Sequence, residues 1–143
     1  MLELYCGDGN LTFAYRPHEG RIIAVDSSRA AIEKAHKLDD GIGAGIEFLQ
    51  MHIDGTLAGK LPADFKNEYD TLILDPPRGG TDLTSHVHRN VKNIIYVSCS
   101  PSTFVRDVRS LEEGFSFETI QAIDMFPQSR HVELVAHLKC SQQ

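Results

Sequence analysis

Three short stretches carry residue types that could do chemistry. The first is Ser98-Cys99-Ser100-Pro101. Pro101 suits the first turn of a helix, where a missing N–H costs nothing, so Cys99 stands just before a helix N-terminus. The positive end of that helix favours a thiolate and makes Cys99 a candidate nucleophile. The competing reading is an inert thiol packed at a strand end. The second stretch is Asp75-Pro76-Pro77-Arg78-Gly79-Gly80. Its prolines fix the backbone and remove donors, which leaves carbonyls and a carboxylate to face a ligand. A stiff strand-to-helix turn is the bland alternative. The third is Cys6-Gly7-Asp8-Gly9-Asn10 with Asp26 further on. Gly7 and Gly9 let backbone approach a ligand, and Asp26 could bond both hydroxyls of a ribose. The distance from turn to acid matches the roughly 20 residues of nucleotide-binding units. Such a turn can also serve only to reverse the chain.

The elements needed to position these stretches are legible. Leu2 to Tyr5 reads as a short apolar strand and Leu11 to Tyr15 as a helix stopped by Pro17 and Gly20. Arg21 to Val25 reads as a buried strand ending at Asp26. Ser27 or Ser28 then caps a helix through about Lys37, with Ala31, Ile32 and Ala35 on one face. Ile46 to Met51, Tyr69 to Leu74 and Asn93 to Ser98 are further strands, and a helix follows from about Ser102 to Leu111. Phe115 to Ile123 and His131 to Leu138 read as two strands with no long helix between them. Alternating strands and helices predict an α/β fold: a Rossmann-like, mostly parallel sheet with helices on both faces. The last two strands predict a C-terminal hairpin that brings in an antiparallel strand.

Composition narrows the classes. With 143 residues, 41% hydrophobic and 24% charged, the chain suits one domain with a sizeable core. No apolar run approaches the roughly 20 residues of a membrane span, and Met1-Leu2-Glu3 lacks a basic leader, which points to the cytoplasm. Three scattered cysteines give neither a disulfide framework nor a zinc pattern, and no metal is expected. His86 and His88 lack a nearby acid or cysteine to complete a ligand set, so an exposed loop or helix start is their expected home. The formal charge of −6, with 14 scattered basic residues, argues against strong nucleic-acid binding by this chain alone.

The glycine turn lacks the third glycine that a dinucleotide pyrophosphate requires. S-adenosylmethionine has no phosphate and asks only for a tight turn, a ribose acid and adenine contacts. Its positive sulfonium gains nothing from helix-start amides, but carbonyls and acids such as Asp8 or Asp75 would suit it. Asp75-Pro76-Pro77 is similar to the Asp/Asn-Pro-Pro-aromatic motif of amino methyltransferases. Arg78 replaces the aromatic ring, which weighs against chemistry on an exocyclic amine.

Five motifs in order carry a resemblance: Leu2-Glu3-Leu4-Tyr5-Cys6-Gly7-Asp8-Gly9-Asn10, Asp75-Pro76-Pro77-Arg78-Gly79, Ser98-Cys99-Ser100-Pro101, Asp124-Met125-Phe126-Pro127 and His131-Val132-Glu133. Together they resemble the catalytic domain of the RNA uridine-5-methyltransferases, which modify transfer or ribosomal RNA. The resemblance implies that Tyr5, Gly7, Asn10, Asp26 and Asp75 contact S-adenosylmethionine. It implies that Cys99 is the nucleophile, Glu133 the base, and that Arg78 and Phe126 meet the target base. Glu3 and Ser100 depart from the Asp and Asn common at those positions. The implied partner is RNA, with no membrane.

Two other classes stay open: a methyltransferase acting on another atom, with Cys99 incidental, and a non-enzymatic or inactive fragment. A chain that opens inside a core strand reads as one catalytic domain, residues 1–143, lacking the family's N-terminal RNA-binding and central regions. The isolated chain is accordingly expected to bind S-adenosylmethionine weakly and to show little activity on RNA.

Overall fold

A computed structural model describes every residue except 16–19, 40–44, 67, 112–113, 126, 129–131 and 142–143. The elements are β1 (Leu2–Leu4), α1 (Asn10–Ala14), β2 (Ile22–Asp26), α2 (Arg29–Asp39), β3 (Ile46–Gln50) and α3 (Leu57–Lys60). They continue as β4 (Thr71–Leu74), a 3₁₀ turn (Leu83–His86), β5 (Asn93–Ser98), α4 (Pro101–Arg109), β6 (Phe115–Ile123) and β7 (Glu133–Cys140). One seven-stranded sheet runs in the order β3-β2-β1-β4-β5-β7-β6. The first five strands pair in parallel, and β7 runs antiparallel to both β5 and β6. The expected α/β sheet and its C-terminal hairpin are both present.

The sequence explains the layers. β2 is a continuous apolar run because both its faces are covered. On one face Ile22, Ala24, Ile32, Ala35 and Phe48 pack together. On the other, Leu2, Leu4, Val25, Leu72, Leu74, Ile94, Tyr96 and Phe104 form the larger core. Each such side chain contributes about 1.5–3 kcal/mol on leaving water. Helix α2 buries only Ile32 and Ala35, and the Ser28 hydroxyl accepts from the Ala31 amide at 3.3 Å as the cap requires.

Three expectations change. β1 stops at Leu4 because Tyr5 adopts a left-handed conformation with φ 63°. Helix α3 and the 3₁₀ turn were not foreseen, since four-residue elements carry no readable periodicity. His86 is not exposed: it is 3% accessible, packed with Leu83 on the inner side of the 3₁₀ turn. Burial lowers its pKa, and its backbone carbonyl accepts from the buried Tyr69 hydroxyl at 2.7 Å. His88 is half-buried, edge-on to the Tyr69 ring. Among the described residues no cluster of three or more His, Cys, Asp or Glu could hold a metal, and no helix is long and apolar enough to cross a membrane.

Candidate active site

The carboxyl ends of β1, β2, β4 and β5 meet along one edge of the sheet. After β1 the chain bends through three left-handed residues, Tyr5, Gly7 (φ 57°) and Gly9 (φ 92°). The two glycines answer to different constraints. A Cβ on Gly9 would lie 2.8 Å from the Phe13 ring and 3.1 Å from Phe48, so Gly9 closes the packing beneath the turn. A Cβ on Gly7 would meet nothing within 4 Å, so Gly7 faces open space. The Asp26 carboxylate steadies this turn: Oδ2 accepts from the Gly7 amide at 2.9 Å and Oδ1 from the Ser28 amide at 2.7 Å. Each oxygen of Asp26 accepts one of these bonds and has capacity for another. Asn10 is exposed at the start of α1.

Carboxyls crowd this end of the sheet. Glu3 is 2% accessible in the middle of β1, and burial raises its pKa from the usual 4.5 to about 7. The Thr12 hydroxyl beside it pulls that value down and the Asp75 charge pushes it up, yet neither Glu3 Oε2 nor Thr12 Oγ1 completes a hydrogen bond. Asp75 stands open at the end of β4, but desolvation around its carboxyl, followed by the charge of Glu133, raises its pKa. Asp8 points elsewhere, into an ion pair with Lys34 on α2. The acids exposed or half-exposed at this end are therefore Asp26 and Asp75, with Glu3 enclosed beneath the turn.

Strand register brings Cys99 and Glu133 to the same end of the sheet. β5 and β7 pair as far as Ser98 opposite Leu134, and Cys99 and Glu133 are the residues next to that last rung, one on each strand. Cys99 is a free, half-buried thiol, followed by Ser100 as N-cap of α4 and Pro101 in its first turn. The preceding Ser98 hydroxyl is buried, accepts from the Ser100 amide and donates to the Ser100 carbonyl, both at 3.1 Å. That carbonyl also accepts from Thr103 Oγ1 at 3.0 Å and the Phe104 amide at 3.0 Å, so the turn bearing Cys99 is tied from both sides. Glu133 opens β7 opposite Ile123 of β6.

The sequence model of the family described as tRNA (uracil-5-)-methyltransferase matches residues 59–140. The chain belongs to that family. Among its relatives, an uncharacterized RNA methyltransferase of Thermotoga maritima is 36% identical over 144 residues, covering 96% of this chain and 31% of that protein. A tRNA/tmRNA (uracil-C(5))-methyltransferase of Nautilia profundicola is 33% identical, covering 97% of this chain and 40% of its own length. The crystal structure of Pyrococcus abyssi tRNA (uracil-54, C5)-methyltransferase with S-adenosyl-L-homocysteine superposes with a TM-score of 0.72 at 32% identity, over 96% of this chain and 33% of that one. The N-methyltransferase NodS of Bradyrhizobium japonicum reaches a TM-score of 0.74 at 15% identity, over 99% of this chain and 77% of that one, a likeness of fold alone. The fold is thus the Rossmann-like class I methyltransferase sheet. The chain spans between 31% and 40% of the length of these two sequence relatives.

Of the residues singled out in this member of the tRNA (uracil-5-)-methyltransferase family, the structure gathers Tyr5, Gly7, Asp26, Asp75, Cys99 and Glu133 at one end of the sheet. Arg78 lies exposed on the loop after Pro77, and Asn10 sits at the rim. Phe126, Arg130 and His131 lie outside the described residues. Sequence reading passed over two groups. Glu3 was noted only for departing from the Asp common at its position, although a carboxylate in the middle of an apolar strand was itself a signal. Thr81 and Asp107, which anchor the loop after β4, had no signal beyond the paired glycines before Thr81.

Proposed function

We propose that this chain is the catalytic domain of a longer RNA methyltransferase that methylates carbon 5 of uridine in transfer or ribosomal RNA. The observation that carries the reading is that Cys99 and Glu133 flank the last rung of the β5–β7 ladder, at the end of the sheet where the Glu133 charge reaches Asp75. The residues present fit S-adenosylmethionine. Gly7 leaves open space, Asp26 has both carboxylate oxygens oriented, and Glu3 keeps a buried oxygen without a partner under a turn that suits a cationic ligand. Tyr5, Gly7, Asn10, Asp26 and Asp75 would hold it. When bound, it supplies an electrophilic methyl group.

Carbon 5 of uracil is too weak a nucleophile to take a methyl group unaided. The Cys99 thiolate adds to carbon 6, and the electrons of the 5,6 double bond shift toward the carbonyl at carbon 4, giving an enolate whose carbon 5 is nucleophilic. Once carbon 5 carries the methyl group, Glu133 removes the proton it still holds. The returning electrons restore the double bond, break the sulfur–carbon bond and expel the thiolate. Arg78 and Phe126 are the residues assigned to the base, which has to leave its stack before carbon 6 is within reach. RNA contacts beyond this chain offset its net charge of −6.

Incubation with a 5-fluorouridine RNA and S-adenosylmethionine tests the reading. Fluorine at carbon 5 cannot leave as a cation, so a covalent RNA adduct on Cys99 is expected by mass spectrometry. A chain that binds S-adenosylhomocysteine yet methylates uridine equally well as Cys99→Ala overturns the mechanism.

A further inference from the structure

Asp107 is the least expected charge in the fold. It lies on α4, which otherwise turns apolar residues inward, and its side chain is only 1% accessible. Removing a carboxylate from water is costly unless several donors meet it. Arg106 approaches Oδ1 through Nε at 2.8 Å and a terminal nitrogen at 2.5 Å. Oδ2 takes the Tyr96 hydroxyl at 2.7 Å and the Thr81 backbone amide at 2.7 Å. A simple ion pair would have ended with Arg106.

The same carboxylate fixes the loop after Asp75-Pro76-Pro77. Arg106 also donates to the Gly79 carbonyl at 2.7 Å. Gly80 has φ 75°, and its backbone passes so close to Asp107 Oδ2 and the Arg106 guanidinium that no Cβ fits. Beyond the amide held by Asp107, the Thr81 hydroxyl accepts from the Tyr5 hydroxyl at 2.9 Å. One line of contacts therefore runs from α4, which begins beside Cys99, through the 79–81 loop to the ring at the end of β1.

We propose that Asp107 is a positioning residue: it sets the 79–81 loop against α4 and, through Thr81, fixes Tyr5 at the cofactor turn. Arg78, one residue before Gly79, is placed by the same anchor. The proposal rests on the reading of Tyr5 as a cofactor contact.

Titration of S-adenosylhomocysteine into the purified chain tests it, using Asp107→Asn, Arg106→Gln, Tyr5→Phe and the two double variants with Tyr5→Phe. Loss of a charged, buried acceptor should weaken binding about tenfold in Asp107→Asn and a few-fold in Arg106→Gln. Because the effect travels through Tyr5, adding Tyr5→Phe to either should cost nothing further, whereas a purely structural role makes the factors multiply. Should Asp107→Asn not fold, the cycle of Arg106→Gln with Tyr5→Phe gives the answer, since Arg106 is 59% accessible. Wild-type affinity in both anchor variants, or factors that multiply, overturns the inference. A wild-type chain that binds no S-adenosylhomocysteine overturns the cofactor reading and this inference together.

Discussion

On the β3-β2-β1-β4 side, the three central strands are buried almost throughout, whereas beyond β4 burial alternates and then gives out. All of β1, the first four residues of β2 and the last three of β4 are inaccessible. In β5 only Ile94, Tyr96 and Ser98, on the α4 side, are buried. Ile95 lies in register with Ile73 and Glu3 on the opposite face, yet Ile95 is half-exposed where those two are covered by α1 and its surroundings. Along β6 every residue after Phe115 is exposed, with Phe117 52% and Ile120 56% accessible. The cofactor half thus holds its residues by close packing. The half bearing Cys99 and Glu133 holds them by ladder register and by the hydrogen bonds around Ser98 and Ser100, and it leaves apolar surface open along β6.

That contrast predicts effects of graded size. In the full-length enzyme, Cys99→Ala should abolish methyl transfer to uridine, and Glu133→Gln should slow it between about a hundredfold and ten-thousandfold. Only the glutamate variant should accumulate an RNA adduct on a denaturing gel, and adduct in both would break the assignment of roles. Leu72→Ala, in the packed half, should cost about 2–5 kcal/mol in urea unfolding.

Glu3 adds a pH-dependent cost to the same half. Its folded pKa of about 7 lies above its ordinary 4.5, so the folded chain keeps a proton that the unfolded chain releases. Its contribution is complete below pH 4.5 and is lost as pH rises to about 7. Glu3→Gln should therefore be more stable than wild type at pH 8 by on the order of 3 kcal/mol, and the gap should close in acid. An unfolding midpoint that does not vary with this substitution across that range would show that the carboxyl is not confined.

Smaller effects sharpen the picture. Gly7→Ala should cost roughly 1 kcal/mol for its left-handed backbone, but should weaken S-adenosylhomocysteine binding by more than that. Equal losses in stability and binding would mean that nothing occupies the space before Gly7. Ile120→Thr, on the open half, should change stability by no more than about 0.5 kcal/mol.

Most of the sheet was readable because apolar runs such as Ile22 to Val25 and Ile94 to Val97 have few other destinations. Gly7 and Asp26 were readable because their partnership is local: a turn, a strand and its end. Cys99 and Glu133 were singled out by resemblance, and what brings them to one end of the sheet is an antiparallel register between residues more than thirty positions apart, which no local pattern encodes. Asp107 looked like an ordinary polar residue on a helix, since its partners Thr81 and Tyr96 lie on other elements. The burial of Glu3 was not anticipated, because its neighbour Thr12 lies on another element.

The strand order has a kinetic consequence. β7 is the last strand of the chain, yet it lies inside the sheet, and β6 reaches β5 only through it. As the chain emerges from the ribosome the cofactor half can collapse first, because its parallel strands and helices are already complete. Until β7 docks, β5 is paired on one edge only, with β4, and Cys99 stands at the end of that half-paired strand. The two residues proposed as nucleophile and base thus reach the same end of the sheet through a single ladder, that of β5 with β7.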